Sequence, residues 1–515
     1  MRYLLTLTLL AATPLAAQAP APAPAGPPSA AVKKAAATIT AADVAHRINI
    51  IADDSMMGRD TPSPGLDMTA QYVADQFKSF GLKPGGEHGT WFQRYEIVQA
   101  KFDPATSHVG FIAGGQRVHA DFAIGARFQF GSVPSGEVGG AVLVIGGALN
   151  PKALDGVDAK GKVILLVVDY GKGALPSTYG QVVRGLFDLD PVGIVVLSNR
   201  DSASWANRLK PAYRASVRRG GWEARPPMVE VNGAGLEGVL AAGGVDVAQI
   251  RADTTMVLRP APDLKIMLDL KEQVLQQTTA PNTIGILEGS DPKLKHEYLV
   301  YSGHMDHIGI STGKPDSINN GADDDASGTV GVVELAEAFS RPGARPKRSI
   351  LFITVSGEEK GLWGSDYFTT HPTVPMKDIV ADLNIDMIGR NWPDTIVAIG
   401  REHSDLGQTL STVNAEHPEL GMTAIDDRWP QENFYRRSDH YNFAKNGVPI
   451  LFFFNGVHAD YHQVSDSPDK INADKESRIL QLLFYLGQAV ANNPERPQWN
   501  PESYAKIVQP PKPAS

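Results

Sequence analysis

EYLVYSGHMDHIG, residues 297–309, is the stretch on which the fold turns. It begins as a short apolar run with aromatic and β-branched side chains, the composition of a strand buried on both faces. A dense polar run, His304-Met305-Asp306-His307, follows at once. The same texture returns in SILFITVSG (349–357), IVADLNIDMIG (379–389) and VPILFFFNG (448–456). Helix-like segments lie between these runs, notably GTVGVVELAEAF (328–339) and DLGQTLSTVNA (405–415). Alternation of this kind predicts an α/β domain over 266–492, with a mixed, mainly parallel central sheet flanked by helices.

In such a sheet, ligands bind beyond the carboxyl ends of the strands. The polar residues gather there. After the first run come His304, Asp306 and His307, and later Asp323-Asp324-Asp325 at the start of a helix. Glu358-Glu359 follow the second run, Asp386 sits in the third, and His462 follows the fourth. Nine of the thirteen histidines lie between 296 and 462, so the clustering is not an even scatter. Singly, each feature has an ordinary reading as a turn, a solvated helix start or a helix cap. Together they place many like charges at neighbouring strand ends, which calls for a common counter-charge, a shared metal site.

The chain has no cysteine, so the ligands are imidazole and carboxylate. That set suits zinc, with manganese or cobalt also compatible, and there are enough carboxylates for two ions. A net charge of −9 and the lack of any concentrated Lys/Arg stretch exclude a nucleic-acid protein.

Outward from this domain the texture changes. Residues 1–19 read as a secretory signal peptide, a single arginine before a short apolar run and then small residues. Residues 20–39 read as an Ala/Pro-rich spacer, and 40–100 as a helical unit interrupted by the loop GRDTPSPG (58–65). From 101 to 265, short apolar runs alternate with Gly/Pro-rich connectors, which predicts a β-rich accessory domain with AGLEGVLAAGG (234–244) as its one helix-like segment. Residues 493–515 form a Pro-rich tail expected on the surface. Once the signal is removed, no integral membrane segment is expected, and the location is secreted or periplasmic.

The pieces GHMDHIG, NGADDDASG, SGEEKGLWGS, LNIDMIG and YHQVSDSPD resemble, in order over roughly 280–480, the co-catalytic di-zinc aminopeptidase family. That family includes secreted bacterial leucine-type aminopeptidases and, more distantly, glutamate carboxypeptidases and the transferrin receptor. The middle segment, with LDGVDAKGKVILL, resembles the protease-associated domain inserted in such enzymes. The resemblance implies a zinc-exopeptidase fold and two Zn2+ per chain. It implies His304 and Asp386 on the first metal, Asp324 as bridge, and Glu359 and His462 on the second. Glu358 is then the general base acting on a metal-bridged water, and Asp306 supports His304. It implies a substrate loop holding Tyr435, Arg436, Arg437 and His440. His307 is expected near a ligand, and His458 competes with His462.

The expected function is an exported metallo-aminopeptidase acting on peptides. A carboxypeptidase or dipeptidase using the same metals is the first alternative, with Arg428, Arg436 and Arg437 as carboxylate readers. A one-zinc glutaminyl cyclase is weaker, because the ligand complement is full. A non-catalytic peptide-binding protein is the third, and Glu358 argues against it because no metal needs it. Oligomeric state and side-chain preference stay open.

Overall fold

The structure, a computed structural model, describes residues 28–170, 175, 177–221, 225–313 and 315–509. The expected signal peptide lies outside the described residues. Among the described residues two compact units emerge, one within 28–95 and 279–509 and the other within 96–278. The boundaries read from sequence, 100/101 and 265/266, fall inside the strands Phe92–Phe102 and Met256–Asp269. A strand that runs on past a junction leaves no compositional mark there.

The first unit opens on helices α1 (Ala30–Ala36), α2 (Ala41–Ile51) and α3 (Pro64–Ser79). Its later elements are β1 (Glu272–Leu287, within this unit from residue 279), β2 (Tyr298–His304), α4 (Gly328–Ser340), β3 (Ser349–Val355), α5 (Trp363–Thr370) and β4 (Ile379–Ile385). Then come β5 (Thr395–Ile399), α6 (Leu406–Glu416), β6 (Thr423–Ile425), α7 (His440–Lys445), β7 (Ile450–Phe453), α8 (Ala473–Asn492) and α9 (Pro501–Ile507). Over these strands the order is β6-β5-β7-β4-β2-β3-β1, and the sheet continues beyond β1. Strands β7, β4, β2 and β3 run parallel, while β1 and β5 pair antiparallel to their neighbours β3 and β7.

The parallel core explains why these strands read as unbroken apolar runs. Alternate side chains of β3 enter different cores: Ile350 and Phe352 join one, Leu351, Ile353 and Val355 the other. The first core is closed by α2, α4 and α8, the second by α5 and α7. All four parallel strands therefore end at one edge of the sheet, and their following loops meet there.

Two expectations are corrected at the ends of this unit. The spacer expected through residue 39 gives way at Ser29, whose hydroxyl caps α1, and Ala35, Ala36 and Ile39 are buried in the first core. The tail is not wholly a surface segment, since α9 forms and buries Ile507. No helix of the described residues is long and apolar enough to cross a membrane.

The second unit is an eight-stranded mixed sheet with a parallel centre, Val138–Gly147, Val163–Val167, Gly193–Ser198 and Met228–Asn232. It holds more helix than its sequence suggests: besides Glu237–Ala242, it has Tyr179–Asp188, Ser202–Leu209 and Val247–Ala252. Tyr179–Asp188 carries two glycines and two adjacent valines, which are poor helix formers. Burial of Val182, Val183 and Leu186 outweighs that propensity.

Candidate metal centre

The aspartate triplet lies in a wide irregular turn, Ala322–Ser327, that feeds α4. Its three carboxylates have separate tasks. Asp323 accepts from the Gly389 amide at 2.6 Å and faces His458 Nε2 at 3.1 Å. Asp325 accepts from the amides of Gly328, Met387 and His304. Both are thus loop-tying groups. Asp324 makes no such bond and turns the other way, its Oδ1 3.4 Å from His304 Nε2 and its Oδ2 3.1 Å from His462 Nε2.

Two ligand-type groups result, and Asp324 belongs to both. The first unites His304, Asp324 and Asp386, with His304 Nε2 3.7 Å from Asp386 Oδ1. The second unites His307, Asp324 and Glu359. His462 Nε2 joins it, 3.2 Å from Glu359 Oε2. The structure therefore brings together His304, Asp324, Glu359, Asp386 and His462, and adds His307.

The donor set fits divalent cations. Asp324 Oδ2 and His462 Nε2 stand within hydrogen-bonding distance, yet both are buried atoms that make no hydrogen bond. Their lone pairs converge on a common point rather than on each other. Desolvation pulls the His462 imidazolium down, but the negative charges of Asp324 and Glu359 close beside it outweigh that and push its pKa up to about 10. A positive charge is wanted at that point.

Asp306 acts differently from the expected carboxylate–imidazole pair. His304 Nδ1 meets the main-chain oxygen of Asp306 at 3.2 Å, while the nearer carboxylate oxygen is 3.7 Å away. The carboxylate is otherwise engaged: Oδ2 accepts from Thr61 Oγ1 and Oδ1 from the Glu358 amide. Asp386 is held in its turn by Ser438 Oγ at 2.8 Å.

Glu358 lines a cavity of about 40 Å³ together with His304, Asp324 and Asp386. Its opposite wall is apolar, built from Met387, Phe434, Phe452, Phe454, Val457 and Tyr461. Desolvation raises the Glu358 pKa well above the carboxylate range against the pull of His304, and Asp439 and Glu359 push it further. A carboxyl group with that environment can hold and release a proton.

Of the four residues expected along the substrate pocket, Arg437 lines this cavity. The other three stand apart from its lining. Tyr435 packs against His403, with ring centroids 4.6 Å apart, and Arg436 is exposed over Tyr441. His440 is buried under Phe452 and its Nε2 bonds the Tyr435 carbonyl; burial lowers its pKa to about 3, so it is neutral. Their neighbours in sequence, Phe434 and Ser438, are the ones that reach the site.

A residue with no signal in sequence reading also converges here. Arg59 is fully buried, and its guanidinium donates to the carbonyls of Ile51, Met305, Asn320 and Gly321. It thereby ties the loop after β2 to the aspartate turn, with Asp324, Asp325 and Asp306 among the charges it faces. Gly58 beside it has φ +65, and a Cβ there would stand 2.6 Å from the carbonyl oxygens of both Gly309 and Asn319.

With this geometry in view, relatives are informative. Residues 282–487 match the model of Peptidase family M28. This segment is a peptidase family M28 domain. It contains every residue of the two ligand groups. Leupeptin-inactivating enzyme 1 of Streptomyces exfoliatus is 30% identical over 194 residues, 37% of this chain and 39% of that protein. A probable zinc metalloprotease of Pyricularia oryzae is 25% identical over 256 residues, 41% of this chain and 50% of that one. The chain thus spans half or less of the length of these two relatives. The aminopeptidase from Aneurinibacillus sp. strain AM-1 has a similar fold, with TM-score 0.50 and 18% identity over 94% of this chain and 99% of that one.

Proposed function

We propose that the chain is an exported metallo-aminopeptidase that removes N-terminal residues from peptides, with two zinc ions in its M28 domain. The observation that carries this reading is the sharing of Asp324 by two ligand groups, with unligated Glu358 on the same cavity. His304, Asp324 and Asp386 would hold one ion, and Asp324, Glu359 and His462 the other. When bound, such a pair supplies Lewis acidity toward a carbonyl oxygen and lowers the proton affinity of water. Glu358 takes a proton and returns it to the leaving amine. Asp306 fixes the Glu358 backbone, and Ser438 orients Asp386. The apolar wall from Phe434, Phe452 and Phe454 favours substrates with an apolar side chain beside the cleaved bond. Export rests on the N-terminal pattern of 1–19, and the unit 96–278 is read as the protease-associated insert.

One observation supports a second reading. Arg437 is exposed at the same cavity, where a guanidinium can pair with a free carboxylate, as in a carboxypeptidase or dipeptidase. Both readings are tested by a panel of aminoacyl-anilides, N-blocked peptides and C-terminally varied dipeptides, with metal quantified in parallel. Cleavage of unblocked substrates alone, led by leucyl- over aspartyl-anilide, lost on chelation and restored by zinc, supports the aminopeptidase. Cleavage that demands a free C-terminus replaces it with the second reading, and two bound ions without any cleavage dismisses both.

A further inference from the structure

The metal pair as read above leaves one buried imidazole of the centre without a task. His307 is wholly buried, and its Nδ1 lies 2.9 Å from Glu359 Oε1 in hydrogen-bonding direction. This sets it apart from a close neighbour. His462 Nε2 approaches Asp324 Oδ2 at 3.1 Å without hydrogen-bonding to it, as a ligand atom converging on a shared point does. Resting on the two-metal reading, we propose that His307 is a positioning residue for the second metal. Its Nδ1–H donates to Glu359 Oε1 and so turns Oε2 toward the cation held with Asp324 and His462.

The physical need is plain. The last torsion of a glutamate is broad and roughly two-fold, so an unheld carboxylate samples many orientations. Glu359 Oε2 already stands 3.2 Å from His462 Nε2, on the ligand side, which leaves Oε1 as the oxygen to anchor. The anchor is itself immobile. The His307 amide donates to the Arg59 carbonyl at 3.2 Å, and the ring lies edge-on to His462 at 5.7 Å between centroids. Gly321, with φ +57, leaves room for it, since a Cβ there would come within 2.6 Å of the His307 ring. His307 is thus built into the same clamp that joins Arg59 to the aspartate turn. Outer partners of this kind tune metal affinity by roughly 10- to 100-fold.

The test is a chelator-competition titration with Zn2+ on the full chain, for wild type, His307→Ala and His307→Asn. His307→Leu replaces the alanine variant should that one not fold. The asparagine amide nitrogen sits near the position of the imidazole Nδ1 and keeps a donor. Wild type is expected to bind two ions. His307→Ala should keep the first affinity and weaken the second by roughly 10- to 100-fold. His307→Asn should recover most of that loss and keep the wild-type electronic spectrum when loaded with Co2+. Equal affinities in wild type and His307→Ala would overturn the proposal while leaving the metal pair standing. An asparagine variant as weak as alanine, with an altered Co2+ spectrum, would overturn it in favour of direct ligation by the ring. A wild-type chain that binds fewer than two ions would overturn both the proposal and the reading beneath it.

Discussion

The carboxylate of Asp306 accepts a hydrogen bond from the main-chain amide of Glu358 at 3.2 Å. Its main-chain oxygen meets His304 Nδ1 at 3.2 Å. One residue therefore holds His304 through its backbone and the Glu358 loop through its side chain. Asp306→Ala is expected to lower kcat by roughly 10- to 100-fold, the usual effect of removing such a partner. Because the carbonyl contact to His304 survives the substitution, metal content should change little. Steady-state kinetics with metal analysis on the same preparation checks both parts. Asp306→Asn keeps an acceptor for the amide and should lose less.

Glu358 stands on the cavity without belonging to either ligand group. If it moves the proton, Glu358→Gln removes that capacity while preserving shape. The expected loss in kcat is about 10²- to 10⁴-fold, with both ions retained. A variant that stays active with a full metal complement would remove Glu358 from the mechanism.

How far the sequence carries depends on whether a signal is local. The strands of the M28 domain are legible because burial on both faces turns them into apolar runs, and His304 and Asp386 are legible because they sit at the ends of such runs. The helix Tyr179–Asp188 is not, since its propensity is poor and its packing partners are distant. Arg59 is hidden for the same reason. Three of its four carbonyl partners lie 246 or more residues away, and nothing in GRD announces a left-handed arginine at φ 51. The tasks of His307 and Asp306 turn on which atom faces which, and spacing cannot show that.

Arg59 is the permanent counter-charge to the aspartates. Burial depresses its pKa, opposed by the charges of Asp324, Asp325 and Asp306. Its removal leaves several buried carbonyls unpaired and those carboxylates facing one another. Arg59→Met should therefore destabilise the M28 domain by roughly 3–5 kcal/mol. Arg59→Lys restores charge but cannot span four carbonyls, so it should recover only part of this. Denaturant unfolding of the chelated protein measures the effect apart from any metal contribution.

Asp324 offers one oxygen to each ligand group, so its loss should be felt twice. Asp324→Ala is expected to bind neither ion tightly, whereas Asp386→Ala should keep the ion held by Glu359 and His462. Ions that bind the folded chain and not the unfolded one stabilise it by mass action, about 4 kcal/mol when free metal exceeds Kd a thousandfold. Chelation should then lower the thermal midpoint of wild type and leave that of Asp324→Ala unmoved, with Asp386→Ala between them. Metal counts of two, one and none across the three proteins would tie that graded response to the bridge. Equal midpoint shifts in all three would show instead that the stabilising ion sits elsewhere, since a bridging carboxylate cannot be deleted without weakening both of the sites it joins.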